Sequence, residues 1–429
     1  MNTDITAVPL KIVTALRDEK FELVESLFAP PLRAVASADS IRAAWAAEIN
    51  KSGAVVSIGE TISENIEQGL LRVSVPLVQE RGELTIIMSV DDKGMLQGLR
   101  FAPATSVEWT PPTYVKPSKF TEEEVAIEAK SMAVKGTLSL PNGEGPYPAV
   151  VLLSGGGPFD RDETYGPNKP LKDIAWGLAT QGIATLRFDK VTFTDSEIAN
   201  SNGFTMSEEY VPHAIAAIHI LQKHPIVDPT RIFVLGHSMG GKVAPRVATV
   251  EPSIAGLIIL AGDTQPMQHA AVRVARYLAE IEPTAANKKA IEIISHQVQA
   301  VDDPNLSLLT ESNALPFGFP ASYWLDMRSY DPVVVASALD KPMFIAQGGR
   351  DYQVTVEDDF SRWKTELDRR HDITFRVYAA DNHLFFPGKA RSTPAEYDLP
   401  QHVDASLVKD IAHWVKPAKG IAAWLRSHS

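Results

Sequence analysis

Arg231-Ile232-Phe233-Val234-Leu235-Gly236-His237-Ser238-Met239-Gly240-Gly241 is the stretch that decides how the rest of the chain is read. Ile232 to Leu235 is an apolar, β-branched run of strand length. Lys242 to Val250 holds good helix formers, with Pro245 expected in the first helical turn, where its missing N–H costs little. Ser238 therefore sits in a strand-to-helix turn, inside the pattern Gly-x-Ser-x-Gly formed by Gly236, Ser238 and Gly240. So tight a turn leaves no room for side chains two residues to either side of the serine, hence glycine at both positions. It would hold a hydroxyl at the tip of a sheet, above a helix N-terminus whose free N–H groups can stabilise an oxyanion. The same pattern arises by chance in glycine-rich loops, so the remaining residues must supply its partners.

Composition bounds the answer. At 429 residues, two domains with one of them large are expected, and 45% hydrophobic against 22% charged residues describes a chain able to bury a sizeable core. The net charge of −12 is spread along the sequence, which argues against nucleic acid or an anionic membrane as the main partner. With no cysteine, disulfides, thiolate catalysis and cysteine metal sites are excluded. The N-terminus lacks a basic segment followed by an apolar core, and nowhere do about 18 apolar residues run together, so a cytoplasmic protein without a membrane span is expected.

The first hundred residues change period. Ile12, Val13, Leu16, Phe21, Val24, Leu27 and Phe28 recur at helical spacing, with a break at Asp18-Glu19 and a stop at Pro30-Pro31. A further helix is expected from Ala38 to Asn50, with Ser40 as its N-cap. Strand-like runs follow over 54–62, 69–78, 83–90 and 95–101. Residues 1–103 thus read as a small α+β domain, similar to the cystatin and nuclear-transport-factor folds found ahead of some bacterial hydrolases. A packing or homodimerisation role suits it better than a second active site, because no acid–base or metal-like pair of residues occurs here. Residues 104–120 form a proline-rich connector containing Trp109, an aromatic suited to docking on a domain.

Beyond the connector, 124–128 and 136–140 read as a hairpin, and Ala149 to Leu153 as a strand buried on both faces. That strand runs into Ser154-Gly155-Gly156-Gly157-Pro158, where bare backbone can approach a ligand, and then into the charge cluster Asp160-Arg161-Asp162-Glu163-Thr164. The cluster is read as salt-bridging rather than substrate-contacting. Leu171 to Gln181 (helix), Ile183 to Phe188 (strand) and Met206 to His224 (helix) continue a βα alternation, which makes a parallel sheet. His213, His219 and His224 share the last helix but form no metal face with a carboxylate.

These motifs, with Gly166-Pro167-Asn168-Lys169-Pro170, Leu186-Arg187-Phe188-Asp189-Lys190 and Gly236-His237-Ser238-Met239-Gly240-Gly241, resemble α/β-hydrolases of the esterase and serine-aminopeptidase-like kind. Val191-Thr192 stands where such relatives often carry Arg-Gly. The resemblance implies an α/β-hydrolase domain over 121–429, a mostly parallel sheet flanked by helices. It also implies an oxyanion hole made by the N–H groups of Met239 and Gly156, and a helical lid in the roughly 80 residues between the strands at 254–261 and 343–346, about 264–335. Phe317, Tyr323 and Trp324 in that insertion either line a substrate pocket or belong to the core. Gly157 and His237 are further candidates for substrate contact.

The triad acid is Asp351, in Gly348-Gly349-Arg350-Asp351-Tyr352-Gln353-Val354, or Asp263 at the end of the preceding strand. The acid loop of the resembling family favours Asp351. His383, just past the last core strand (374–379), completes the chain order Ser, Asp, His. The expected chemistry is hydrolysis of a small hydrophobic carboxylic ester, lactone or thioester through an acyl-enzyme, without metal or organic cofactor. A peptidase or amidase, and a non-hydrolytic ligand-binding member of the fold, remain the alternatives.

Overall fold

In the computed structural model, residues 8–66, 70–103, 109–129, 132–201 and 203–416 are described. The chain divides into two units, Met1–Glu108 and Trp109–Ser429. Residues 104–108 of the expected connector, and residue 69 at the start of one expected strand, lie outside the described residues.

In the first unit, α1 (Val8–Arg17) and α2 (Phe21–Ser26) are separated at Asp18–Lys20, with Glu19 at φ +57°. Pro30 and Pro31 open a helix rather than ending one. They stand in the first turn of α3 (Pro30–Val35), where a missing N–H is no loss. α4 (Ala38–Ser52) is capped by Ser37, not Ser40: Ser37 Oγ accepts from Ser40 N, and Ser40 Oγ accepts from Ser37 N. Ser40, the third residue of the helix, closes that reciprocal box. β1 (Val55–Ile58) and β2 (Ile62–Ile66) pair in turn along one edge of β3 (Leu70–Gln79), followed by β4 (Gly82–Val90) and β5 (Leu96–Pro103), all antiparallel. Alternate residues Val73, Val75, Leu77, Leu84, Ile86 and Met88 close over Ile12, Leu16, Phe21, Phe28 and Trp45.

The second unit is built on eight strands: β6 (Phe120–Ala129), β7 (Met132–Pro141), β8 (Tyr147–Leu153), β9 (Ala184–Phe188), β10 (Val227–His237), β11 (Gly256–Leu260), β12 (Met343–Gly348) and β13 (Ile373–Tyr378). Their spatial order is β13-β12-β11-β10-β8-β9-β7-β6, parallel from β13 to β9 and antiparallel over β7 and β6. The intervening helices are α5 (Pro170–Thr180), α6 (Val191–Thr194), α7 (Met206–Lys223), α8 (Met239–Val250), α9 (Met267–Ile281), α10 (Ala285–Asp302), α11 (Ala321–Arg328), α12 (Pro332–Ser337), α13 (Ser361–Leu367) and α14 (Ala405–Val415). Continuous apolar runs serve two cores at once. Ala149, Val151 and Leu153 of β8 pack with residues of α7 and α8, while Val150 and Leu152 pack with residues of α5 and α14. This is the α/β-hydrolase architecture.

Two local features follow from this packing. Trp109 docks on α5, its indole N–H donating to the buried Asp173 carboxylate at 2.9 Å and its ring meeting Trp176 edge-on at 5.1 Å. Pro245, expected in a first turn, lies inside α8, because that helix starts at Met239, directly after the serine. Burial of Val243, Ala244, Val247 and Ala248 outweighs the lost N–H bond. The segment between β11 and β12 contributes α9, α10 and α11, as the helical periodicity of 267–281, 285–301 and 321–329 implied, and also the short α12. Among the described residues, no helix is long and apolar enough to cross a membrane.

Candidate active site

Ser238 joins β10 to α8 at φ +53° and ψ −120°, a conformation strained for any residue with a Cβ. Packing enforces it. A Cβ on Gly236 would stand 2.1 Å from the Gly240 carbonyl oxygen, and one on Gly240 would stand 2.6 Å from the carbonyl oxygens of both Leu153 and Ser154. Ser238 N donates to Leu260 O at 2.8 Å, so the serine is pinned at the C-terminal edge of the sheet, half-buried.

The glycine run after β8 passes directly beside it. A Cβ on Gly155 would lie 3.3 Å from Ser238 Cβ, and one on Gly156 would lie 3.2 Å from Met239 Cε. Both polar groups of Gly155 are held from behind. Its N–H donates to Glu163 Oε1 at 2.7 Å, and its carbonyl accepts from Lys190 Nζ at 3.0 Å and Tyr210 Oη at 2.7 Å. In a trans peptide the N–H lies opposite the C=O, so fixing the Gly155 carbonyl also fixes the direction of the Gly156 N–H. Gly156 is exposed and Gly157 half-buried, at φ +120°.

Asp351 and His383 lie in the loops that follow β12 and β13. The Asp351 side chain is buried and accepts from Gln353 N at 2.8 Å, Val354 N at 3.0 Å, Gln347 Nε2 at 2.9 Å and His383 Nδ1 at 2.7 Å. The two loops come together because glycines face backbone. A Cβ on Gly348 would stand 2.4 Å from Asn382 O, and one on Gly349 would stand 2.7 Å from Ala379 Cα. Asp263, the competing acid, is engaged elsewhere, with Lys242 Nζ 2.6 Å from its Oδ2. His237 reaches His383 from below: its Nε2 bonds to His383 O at 2.8 Å and its Nδ1 to Glu163 Oε1 at 2.9 Å, and the two imidazole centroids are 4.9 Å apart.

Behind the glycine run lies a buried polar cluster that the sequence reading missed. Lys190 is 2.9 Å from Glu209 Oε1, and Tyr323 of α11 donates to Glu209 Oε2 at 2.6 Å while lying 3.2 Å from Met239 Sδ. Burial pushes the Lys190 ammonium below the ordinary lysine value against the pull of Glu209. It raises the phenols of Tyr210 and Tyr323 well above theirs, and Glu209 adds to both shifts. Trp324 is fully buried, whereas Phe317 is 56% exposed, at φ +59°. In the charge cluster, Arg161 pairs with Asp189 at 3.0 Å and Asp162 with Arg187 at 2.8 Å. Among the described residues, no group of three or more His, Asp or Glu could hold a metal ion.

With this geometry in view, residues 169–386 match the family described as serine aminopeptidase, S33. The chain belongs to the S33 family. Across 407 residues this S33 protein is 34% identical to Esterase EstD of Thermotoga maritima, covering 94% of the chain and 93% of that protein. It is also 29% identical over 143 residues to 2,6-dihydropseudooxynicotine hydrolase of Paenarthrobacter nicotinovorans, covering 32% of the chain and 34% of that enzyme. Among solved structures, Est1E from Butyrivibrio proteoclasticus is similar, with a TM-score of 0.45 at 16% identity over 67% of this chain and 96% of that one.

Proposed function

We propose that the protein hydrolyses a carboxylic ester of a small, uncharged, largely apolar substrate, with Ser238 as nucleophile, His383 as general base and Asp351 as its orienting acid. The observations that carry the reading are the 2.7 Å bond from His383 Nδ1 to Asp351 and the strained elbow at Ser238. A carboxylate acceptor keeps the imidazole proton on Nδ1 and leaves Nε2 basic. In this reading Nε2 takes the Ser238 proton as Oγ attacks the carbonyl carbon, and the carbonyl electron pair moves onto oxygen. The N–H groups of Met239 and Gly156 stabilise that oxyanion. Collapse expels the alcohol, which takes its proton from His383. Water, deprotonated by His383, then attacks the acyl-serine to release the acid and restore the hydroxyl.

The relation to Esterase EstD supports an ester substrate. So does the state of the acids around the elbow. An aminopeptidase must hold a substrate ammonium, which calls for an unclaimed carboxylate, yet Glu163, Glu209 and Asp263 are matched by His237, Lys190 and Lys242. A panel of p-nitrophenyl acyl esters and aminoacyl p-nitroanilides, run with wild type and Ser238→Ala, tests this. Ester turnover that disappears in the variant is expected. A higher kcat/KM for the anilides would overturn the choice of substrate.

A further inference from the structure

Three segments far apart in sequence meet at His237: the loop carrying Gly155 and Glu163, the end of β10, and the loop after β13. Glu163 adopts φ +54° in a buried position, a left-handed conformation that a residue with a Cβ keeps only where its surroundings hold it. What holds it is its Oε1, which accepts from both Gly155 N and His237 Nδ1, while its Oε2 is buried without a partner. The other ring nitrogen of His237 faces the carbonyl of the catalytic base itself.

We propose that Glu163 and His237 are a buried, ion-paired positioning couple, with His237 held as imidazolium, that sets the glycine run and the His383 peptide at fixed places about Ser238. This inference rests on the esterase reading for its kinetic consequence and on geometry for its protonation state. A carbonyl oxygen can only accept, so His237 Nε2 carries a proton. Were the ring neutral, Nδ1 would then turn a lone pair toward a carboxylate oxygen at 2.9 Å. A second proton on Nδ1 converts that repulsion into a charge-assisted bond. Burial alone would drive the imidazole toward neutrality. The neighbouring Glu163, with the His383 carbonyl and Asp351 further contributing, overcomes this and leaves the His237 pKa above the ordinary histidine value. The titratable groups facing the ring are Glu163, His383 and Asp351.

The couple touches no reacting atom. Its work is to hold the Gly155 N–H away from the site and the His383 backbone in register, where a displacement of about half an ångström already lowers turnover.

The test uses the full chain labelled with ¹⁵N-histidine and reads the His237 ring, assigned by its absence in His237→Gln. Imidazolium shifts on both nitrogens at pH 7, replaced by one protonated and one bare nitrogen in Glu163→Gln, are expected. A neutral His237 ring in the wild type at pH 7 would overturn the ion pair whether or not any ester is cleaved. In p-nitrophenyl ester assays, Glu163→Leu should lower kcat about 10–100-fold with KM changed less than about threefold. Glu163→Gln, which keeps an acceptor for Gly155 N, should recover most of that loss. Equal kcat in wild type and a folded Glu163→Leu would refute the positioning role. Absence of ester turnover in the wild type would refute the functional reading and leave the NMR result standing.

Discussion

Asp381 stands two residues before His383, fully buried, with neither carboxyl oxygen hydrogen-bonded. Burial, reinforced by the charge of Asp404 and opposed by Arg350, raises its pKa from 3.8 to about 7. At 1.36 kcal/mol per tenfold change in proton affinity, that rise costs roughly 4 kcal/mol of stability once the folded protein ionises. The direction is fixed by proton counting. Between pH 3.8 and about 7 the folded state keeps a proton that the unfolded state has released, so stability falls as pH rises through this window and the loss is complete above it. Asp381→Asn has nearly the same shape and no charge to desolvate. It should therefore be more stable than wild type by about 1.5 kcal/mol at pH 5 and roughly 4 kcal/mol at pH 8. Urea unfolding followed by tryptophan fluorescence at the two pH values measures both differences. A gap that does not widen with pH, or an asparagine variant less stable at pH 8, would refute the reasoning.

Three further outcomes are expected. Gly240→Ala places a methyl 2.6 Å from two carbonyl oxygens of the neighbouring strand end, so kcat should fall by more than about a thousandfold and soluble yield should drop. Lys190→Met leaves Glu209 buried without its cation and should cost about 3–5 kcal/mol, seen as a lower melting temperature by calorimetry. Asp351→Asn keeps the fold but frees the imidazole tautomer, so kcat should fall about 10³–10⁴-fold with an unchanged circular dichroism spectrum.

The legible parts of the sequence were those where one physical requirement leaves one solution. Gly236 and Gly240 had to lack side chains for the chain to turn within four residues, and Ala149 to Leu153 had to be apolar on both faces to sit mid-sheet. That His383 would pair with Asp351 followed from their places after the last two core strands. Less legible were positions where tertiary packing selects among local options. Ser37 and Ser40 can each cap α4, and only the entering chain decides between them. Pro30 and Pro31 signal either an end or a beginning, and Pro245 is tolerated inside α8 because the helix buries Val243, Ala244, Val247 and Ala248 in one core. Glu163 was read as one of a salt-bridging cluster, but the burial of Glu163, Lys190 and Glu209 was not legible, for a different reason. A charged residue in a loop or on a helix is ordinarily solvated, and their burial depends on partners 19 to 74 residues away along the chain, between Lys190 and Glu209 and between Glu163 and His237.

Covalent capture tests the central claim most directly. The protein is incubated with a fluorophosphonate, its intact mass is measured, and the modified peptide is sequenced. A single adduct on Ser238, abolished by Ser238→Ala and slowed by Asp351→Asn, is the result expected of a serine activated by His383. An unmodified Ser238 in folded protein, or an adduct on another residue that survives Ser238→Ala, would contradict it.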